Sequence, residues 1–159
     1  MRLELGKRAD YAIRAAVDLA RHHADGRRKA RAIADEMSIP TSYVPQILAE
    51  LVRAGIARSV AGPDGGYSLS QPPVDVSLLD VLHAVDGDVV STDCVLRGGP
   101  CRWEGVCAVH VPWSRAQHAL LDVLASTSLA DIVNIDRQLD DGSFELPPDI
   151  AMPLNPPPV

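Results

Sequence analysis

The chain has 159 residues and a formal net charge of −6. Its 47% hydrophobic content supports a packed core and excludes a wholly disordered chain, and with only 4% aromatics that core must be aliphatic. No apolar run approaches the roughly 20 residues of a membrane span. The start, Met1-Arg2-Leu3-Glu4-Leu5-Gly6-Lys7-Arg8, has no apolar segment after its charges. The expectation is a soluble, cytoplasmic protein with no membrane partner.

Charge is unevenly placed. Residues 1–75 hold 11 Lys+Arg against 9 Asp+Glu, whereas residues 76–159 hold 4 against 12. A polyanion would therefore have to bind the first half.

In chain order, Ala9, Ile13, Ala16, Val17 and Ala20 recur at helical spacing and predict a first helix over 8–24, stopped at Gly26. Asp10, Arg14 and Asp18 follow at i, i+4 and i+8 on another stripe of that helix. A second helix is expected over 29–37. Ser38-Ile39-Pro40 forms a turn, and Thr41 or Ser42 caps a third helix running to Ala54. Val44, Ile47, Leu48 and Leu51 form its apolar face.

Strand-like Ile56–Val60 and Tyr67–Leu69 flank Ala61-Gly62-Pro63-Asp64-Gly65-Gly66, a hairpin with a glycine-rich tip. A fourth helix follows over 77–85. Residues 86–109 read as a loop. A long helix begins near Pro112, a good first-turn residue, and carries Trp113, Ala116, Leu120, Val123 and Leu124. Its apolar stripe lies beyond the compact first half, and a second chain would supply cover. A short helix over 128–133 is followed by an acidic tail holding six prolines within residues 142–159, which is expected to be disordered.

Three helices followed by a glycine-tipped hairpin is the order of a winged helix-turn-helix. The expected fold is mainly α with a small β-hairpin wing and a long dimerisation helix. The third helix would enter the major groove by its N-terminal end. Gln46 is suited to reading adenine, and the hydroxyls of Thr41, Ser42 and Tyr43 to phosphate oxygens. Arg58 and the Gly65-Gly66 turn would lie at the wing contact. Arg28 is a further expected DNA contact, in a basic start of the second helix with Arg27, Lys29 and Arg31.

Cys94, Cys101 and Cys107 are the only cysteines, and all lie within 14 residues. Thiolates bind soft metals and iron–sulfur clusters, whereas the Cys-x2-Cys pair usual for zinc is missing. His110, three residues beyond Cys107, or a carboxylate from elsewhere in the chain would complete a four-ligand set. No nucleophile–base pair with an orienting group, phosphate loop or paired catalytic carboxylates is present, so an enzyme is not expected.

The segments Met1-Arg2-Leu3, Asp10-Tyr11-Ala12, Tyr43-x2-Gln46-Ile47-Leu48-x2-Leu51-x2-Ala54-Gly55 and Gly62-Pro63-x-Gly65-Gly66-Tyr67, with the three-cysteine loop, resemble the Rrf family of bacterial winged-helix regulators over residues 1–133. The resemblance implies a homodimer on a double-stranded, near-palindromic DNA operator. It implies a [2Fe-2S] or [4Fe-4S] cluster held by Cys94, Cys101 and Cys107, whose oxidation, loss or nitrosylation changes DNA affinity. In IscR-like members the fourth ligand is a histidine placed as His110 is. In NsrR-like members it is an acidic residue placed as Asp10 is, reaching from the partner subunit. Asp10 is equally placed for an i,i+4 pair with Arg14.

Two departures stand out. Pro45 occupies the place of an acidic operator-reading residue, and Ala61 stands where many members have arginine. The resemblance therefore carries no operator sequence.

The resulting division is a DNA-binding domain over 1–75, a ligand loop and dimerisation helices (Trp113, Ala116, Leu120, Leu124) over 76–133, and a tail over 134–159. A zinc- or thiol-based DNA-binding regulator is the first alternative. A cluster carrier or thiol-exchange protein that binds no DNA is the second.

Overall fold

The computed structural model describes residues 5–87, 107–148 and 150. The elements are α1 (Lys7–Arg21), α2 (Ala30–Glu36), α3 (Val44–Arg53), β1 (Ala57–Val60), β2 (Gly66–Leu69), a 3₁₀ turn (Pro73–Asp75), α4 (Leu78–Asp86), α5 (His110–Ser126) and α6 (Leu129–Asp141). This is the expected winged helix-turn-helix order with the long helix after it. No helix among the described residues is long and apolar enough to cross a membrane.

The core is aliphatic, as the composition demanded. Leu19, Ile33, Ile47, Leu48, Leu51, Leu69, Leu82 and Leu129 are its largest fully buried side chains apart from valines and one aspartate. Each buried Leu or Ile contributes about 2 kcal/mol of transfer free energy. The centre is α1, which packs against α2, α3, α4, α6 and β2. Its buried Ala9, Ala12, Ala15 and Ala16 carry no bulk beyond Cβ, so neighbouring elements approach its backbone closely. At the helix-turn-helix corner Ser38 takes φ 53°, which folds Ile39 back into the core.

Wing pairing is antiparallel, with Ala57 opposite Leu69 and Val60 opposite Gly66. A third backbone segment joins it. The Arg28 N–H donates to Tyr67 O and the Tyr67 N–H to Arg28 O, each at 2.8 Å. Two like-built helix starts meet on the far side. Ser77 and Asp80 form a capping box on α4, Ser128 and Asp131 another on α6. Leu78 N–H donates to Thr127 O, and Leu129 N–H to Val76 O, both at 2.8 Å.

Several boundaries differ from the expectation. Helix α1 stops at Arg21 rather than 24, because His22 leaves helical geometry and its ring Nδ1 hydrogen-bonds the Asp18 carbonyl at 2.9 Å. Neither Thr41 nor Ser42 caps α3: Tyr43 occupies the N-cap position and makes no side-chain cap. Helix α5 starts at His110, two residues before Pro112.

Most of the expected loop, 88–106, lies outside the described residues. The expected tail begins too early, since residues 134–141 continue α6. The physical reason is long-range. Arg21 of α1 pairs with Asp136 at 2.6 Å and Asp140 at 3.0 Å, one helical turn apart, and Gly142 closes the helix in the left-handed conformation. The last part of the expected tail, 151–159, is outside the described residues.

Candidate nucleic-acid interface and ligand loop

Helix α3 buries Val44, Ile47, Leu48, Glu50 and Leu51 against the core and turns its N-terminal polar residues outward. Thr41, Ser42, Tyr43 and Gln46 are all exposed. Pro45 sits in the first turn, where a missing N–H removes only an orphan donor. The Tyr43 ring packs on Tyr11 of α1, with centroids 5.3 Å apart and planes at 57°. Gln46 Nε2 lies 3.5 Å from Glu50 Oε1, and Arg8 Nη2 of α1 donates to the same oxygen at 2.6 Å. Glu50 is buried, and its Oε2 has no hydrogen-bond partner among the described residues. The hydrogen bond to Glu50 raises the Arg8 pKa. The start of α1 is thereby tied to the face of α3 that carries Gln46.

In the wing, Gly65 is required by space, and Gly66 by space and conformation together. A Cβ on Gly65 would run into the Val60 carbonyl oxygen, and one on Gly66, at φ 145°, into that of Arg28. Arg58 on β1 is exposed and anchors its Nε on Ser68 Oγ at 3.0 Å.

Arg28, expected at the DNA, turns its guanidinium inward instead. Its guanidinium donates to Asp18 through Nε at 3.0 Å and Nη2 at 2.9 Å, and also to Glu36. Asp18 is fully buried, unlike Asp10 and Arg14 on the same stripe of α1. Hydrogen bonding to Asp18 raises the Arg28 pKa, against the opposing effect of burial. Asp18, His22 and Glu36 form the one convergent acid–histidine group among the described residues, and the Arg28 guanidinium already supplies it with a cation. The sequence did carry a signal for this: Asp18 interrupts the apolar run Ala15-Ala16-Val17-x-Leu19-Ala20, and a buried charge needs a partner.

Of the expected cluster ligands, Cys94 and Cys101 lie outside the described residues. Cys107 is half-buried just before α5, and its Sγ accepts the His110 N–H at 3.3 Å. A sulfur that receives a backbone N–H at a helix start suits a cluster ligand, whose sulfurs are tuned by such bonds. With two further thiols in the preceding 13 residues, the donor set fits an iron–sulfur group. His110 is exposed at the start of α5. Asp10 is half-buried on α1 and holds Arg14 Nε at 2.9 Å, the i,i+4 pair its position allowed.

Helix α5 has no buried residue. Leu120 and Val123 are 42% and 62% exposed, Ala116 is exposed and Trp113 half-covered. Leu124 differs from the rest of the expected seam, because it packs on the core of its own chain.

Comparison with known proteins agrees with this geometry. The Rrf2 family, described as iron-dependent transcriptional regulators, matches residues 5–135. The HTH-type transcriptional regulator IscR of Photorhabdus laumondii is 32% identical over 138 residues, 87% of this chain and 84% of that protein. Among solved structures, CymR, the global cysteine regulator of B. subtilis, superposes with a TM-score of 0.73 at 24% identity, covering 84% of this chain and 98% of its own. T. potens IscR superposes with a TM-score of 0.69 at 23% identity, covering 91% and 94%. At these identities the two structures speak to the fold.

Proposed function

This chain belongs to the Rrf2 family of transcriptional regulators, which are not enzymes, and from that premise we propose that it is a homodimeric, cytoplasmic DNA-binding repressor whose operator affinity is set by an iron–sulfur cluster. The observation that carries the reading is the pairing of an α3 whose N-terminal polar residues are exposed with a glycine-tipped wing whose second strand is pinned by the backbone bonds between Arg28 and Tyr67. Thr41, Ser42 and Tyr43 meet phosphates, Gln46 reads a base edge, and Arg58 with the Gly65-Gly66 turn meets the DNA at the wing. Residues 1–75 act as the DNA-binding unit and 76–133 as the ligand loop and dimer helices.

Cys94, Cys101 and Cys107 would hold the cluster, [2Fe-2S] or [4Fe-4S]. When bound, such a group supplies a centre reactive towards oxidants and nitric oxide. The fourth ligand is Asp10 of the partner subunit in this reading, with His110 the rival. Asp10 is shared with Arg14 on α1, and α1 also holds α3 through Arg8 and Glu50. A ligand at Asp10 would therefore act on the helix that positions the base reader, which is the kind of two-state coupling a sensor needs.

The test begins with anaerobic purification. Brown protein with visible absorbance that bleaches on stepwise addition of nitric oxide or oxidant supports the cluster. Colourless protein that still captures specific genomic fragments would make it a zinc- or thiol-based regulator, and failure to capture DNA at all would leave a carrier. Cys94→Ala, Cys101→Ala and Cys107→Ala should each lose iron while keeping helical content. Asp10→Ala should alter the visible circular dichroism; an unchanged spectrum there with an altered one in His110→Ala would assign His110 instead.

A further inference from the structure

The wing tip has no cation of its own. Ala61, Gly62, Pro63, Asp64 and Gly65 include a single charge, the Asp64 carboxylate. That is an unfavourable surface to bring against a polyanion. The fold supplies positive charge from the segment just before α2. Lys29 Nζ donates to Pro63 O and lies 3.5 Å from Gly62 O, while Arg27 Nη1 donates to Asp64 O at 3.4 Å. Both residues are exposed. A lysine has three donors and an arginine five, so these contacts fix the cations beside the tip and leave donors over.

Below the tip, Arg27 lines a cavity of about 300 Å³ together with His23, Gly26, Arg58, Ser68 and Leu69. Two guanidinium side chains and an imidazole border it, and no acidic residue lines it. Arg58 is held there by its bond to Ser68. By contrast, Arg28, between Arg27 and Lys29, is turned inward onto Asp18. The alternation follows from the pairing of Arg28 with Tyr67, since successive side chains of an extended segment point to opposite sides.

We propose that Arg27, Lys29 and Arg58, with His23 at the margin, form a phosphate-binding site along the wing that holds a backbone phosphate of the bound DNA. The site rests on the DNA-binding reading above and deepens it. It supplies affinity and register rather than sequence choice, because phosphate contacts carry no base information.

The experiment compares the full-length protein with the double variant Arg27→Gln/Lys29→Gln. Glutamine keeps a donor for the wing-tip carbonyls and removes the charge. Operator and scrambled duplexes are titrated across a salt series. The expected result is an equal loss of affinity for both duplexes and a salt slope smaller by roughly 0.9 for each phosphate contact removed. Thermal unfolding should be unchanged, and Arg27→Lys/Lys29→Arg should bind as the parent does. A duplex carrying one neutral methylphosphonate beside the wing should weaken the parent and leave the double variant unaffected.

If the parent binds DNA and the double variant keeps its salt slope, this site is wrong while the regulator reading stands. A loss confined to the operator at constant slope would mean that the two residues act only by shaping the wing, and would also overturn it. Saturable binding of inorganic phosphate alone would make the cavity a small-anion site and overturn the DNA assignment. A parent that binds no duplex would remove both readings together.

Discussion

Arg28 grips Asp18 with two parallel hydrogen bonds, at 2.9 and 3.0 Å, while its own backbone pairs with Tyr67 of the wing. One residue thus joins the central helix to the wing sheet. Asp18 has no solvent contact, so its charge is tolerated only because the guanidinium and local hydrogen bonds replace water. Asp18→Ala strands the Arg28 charge beside Glu36 and opens a void under the wing. It should destabilise the fold by about 3 kcal/mol, the lower end for breaking a buried pair, because Arg28 is partly exposed and keeps Glu36. Urea unfolding checks this, and a loss below 1 kcal/mol would show that the pair is dispensable.

Gln46 should behave as a base reader. Gln46→Ala is expected to weaken operator binding by about 1–3 kcal/mol and relax preference at one base position. Its effect should differ in kind from that of Arg58→Ala, which should weaken all duplexes and reduce the salt slope. Binding to an operator library gives both readouts. Equal losses on specific and scrambled DNA for Gln46→Ala would reassign that residue to the backbone.

Dimerisation should run through α5, whose Leu120 and Val123 are exposed although its other side rests on α4. A two-fold seam would cover this stripe isologously and set two recognition helices about one DNA turn apart. Leu120→Asp is expected to sediment as a monomer and to lose specific binding. Leu124 lies on the core side, so Leu124→Asp should also lower the unfolding temperature, which Leu120→Asp should not.

Acid should loosen α6 in a defined way. The Asp131 carboxylate accepts the Ser128 hydroxyl and N–H, and these bonds hold its pKa below the usual carboxylate value; Ser143 does the same for Asp141 at the other end. A pKa lower in the folded than in the unfolded chain contributes stability above the unfolded value. That contribution is lost as pH falls through the folded value. Thermal unfolding between pH 7 and pH 3 should therefore show an acid limb that Asp131→Asn flattens. An unchanged limb in that variant would place the acid sensitivity elsewhere.

Much of this protein was legible in residue order. Helix and strand periodicities, glycine at turns and aliphatic spacing are local properties, and they placed α1 to α4 and the wing to within a few residues. The family was legible too, because Gly62-Pro63-x-Gly65-Gly66-Tyr67 and three clustered cysteines are short, chemically constrained motifs. What only the tertiary structure decided were the destinations of charges. Arg27, Arg28 and Lys29 are indistinguishable as consecutive cations, yet Arg28 turns in to Asp18 while its neighbours brace the wing tip. Residues 134–141 look like the beginning of an acidic tail, yet they are helical where Arg21, far away in sequence, pairs with Asp136 and Asp140. A charge finds its partner through space over a few ångströms, and that distance is set by packing of the whole chain, not by neighbours in sequence.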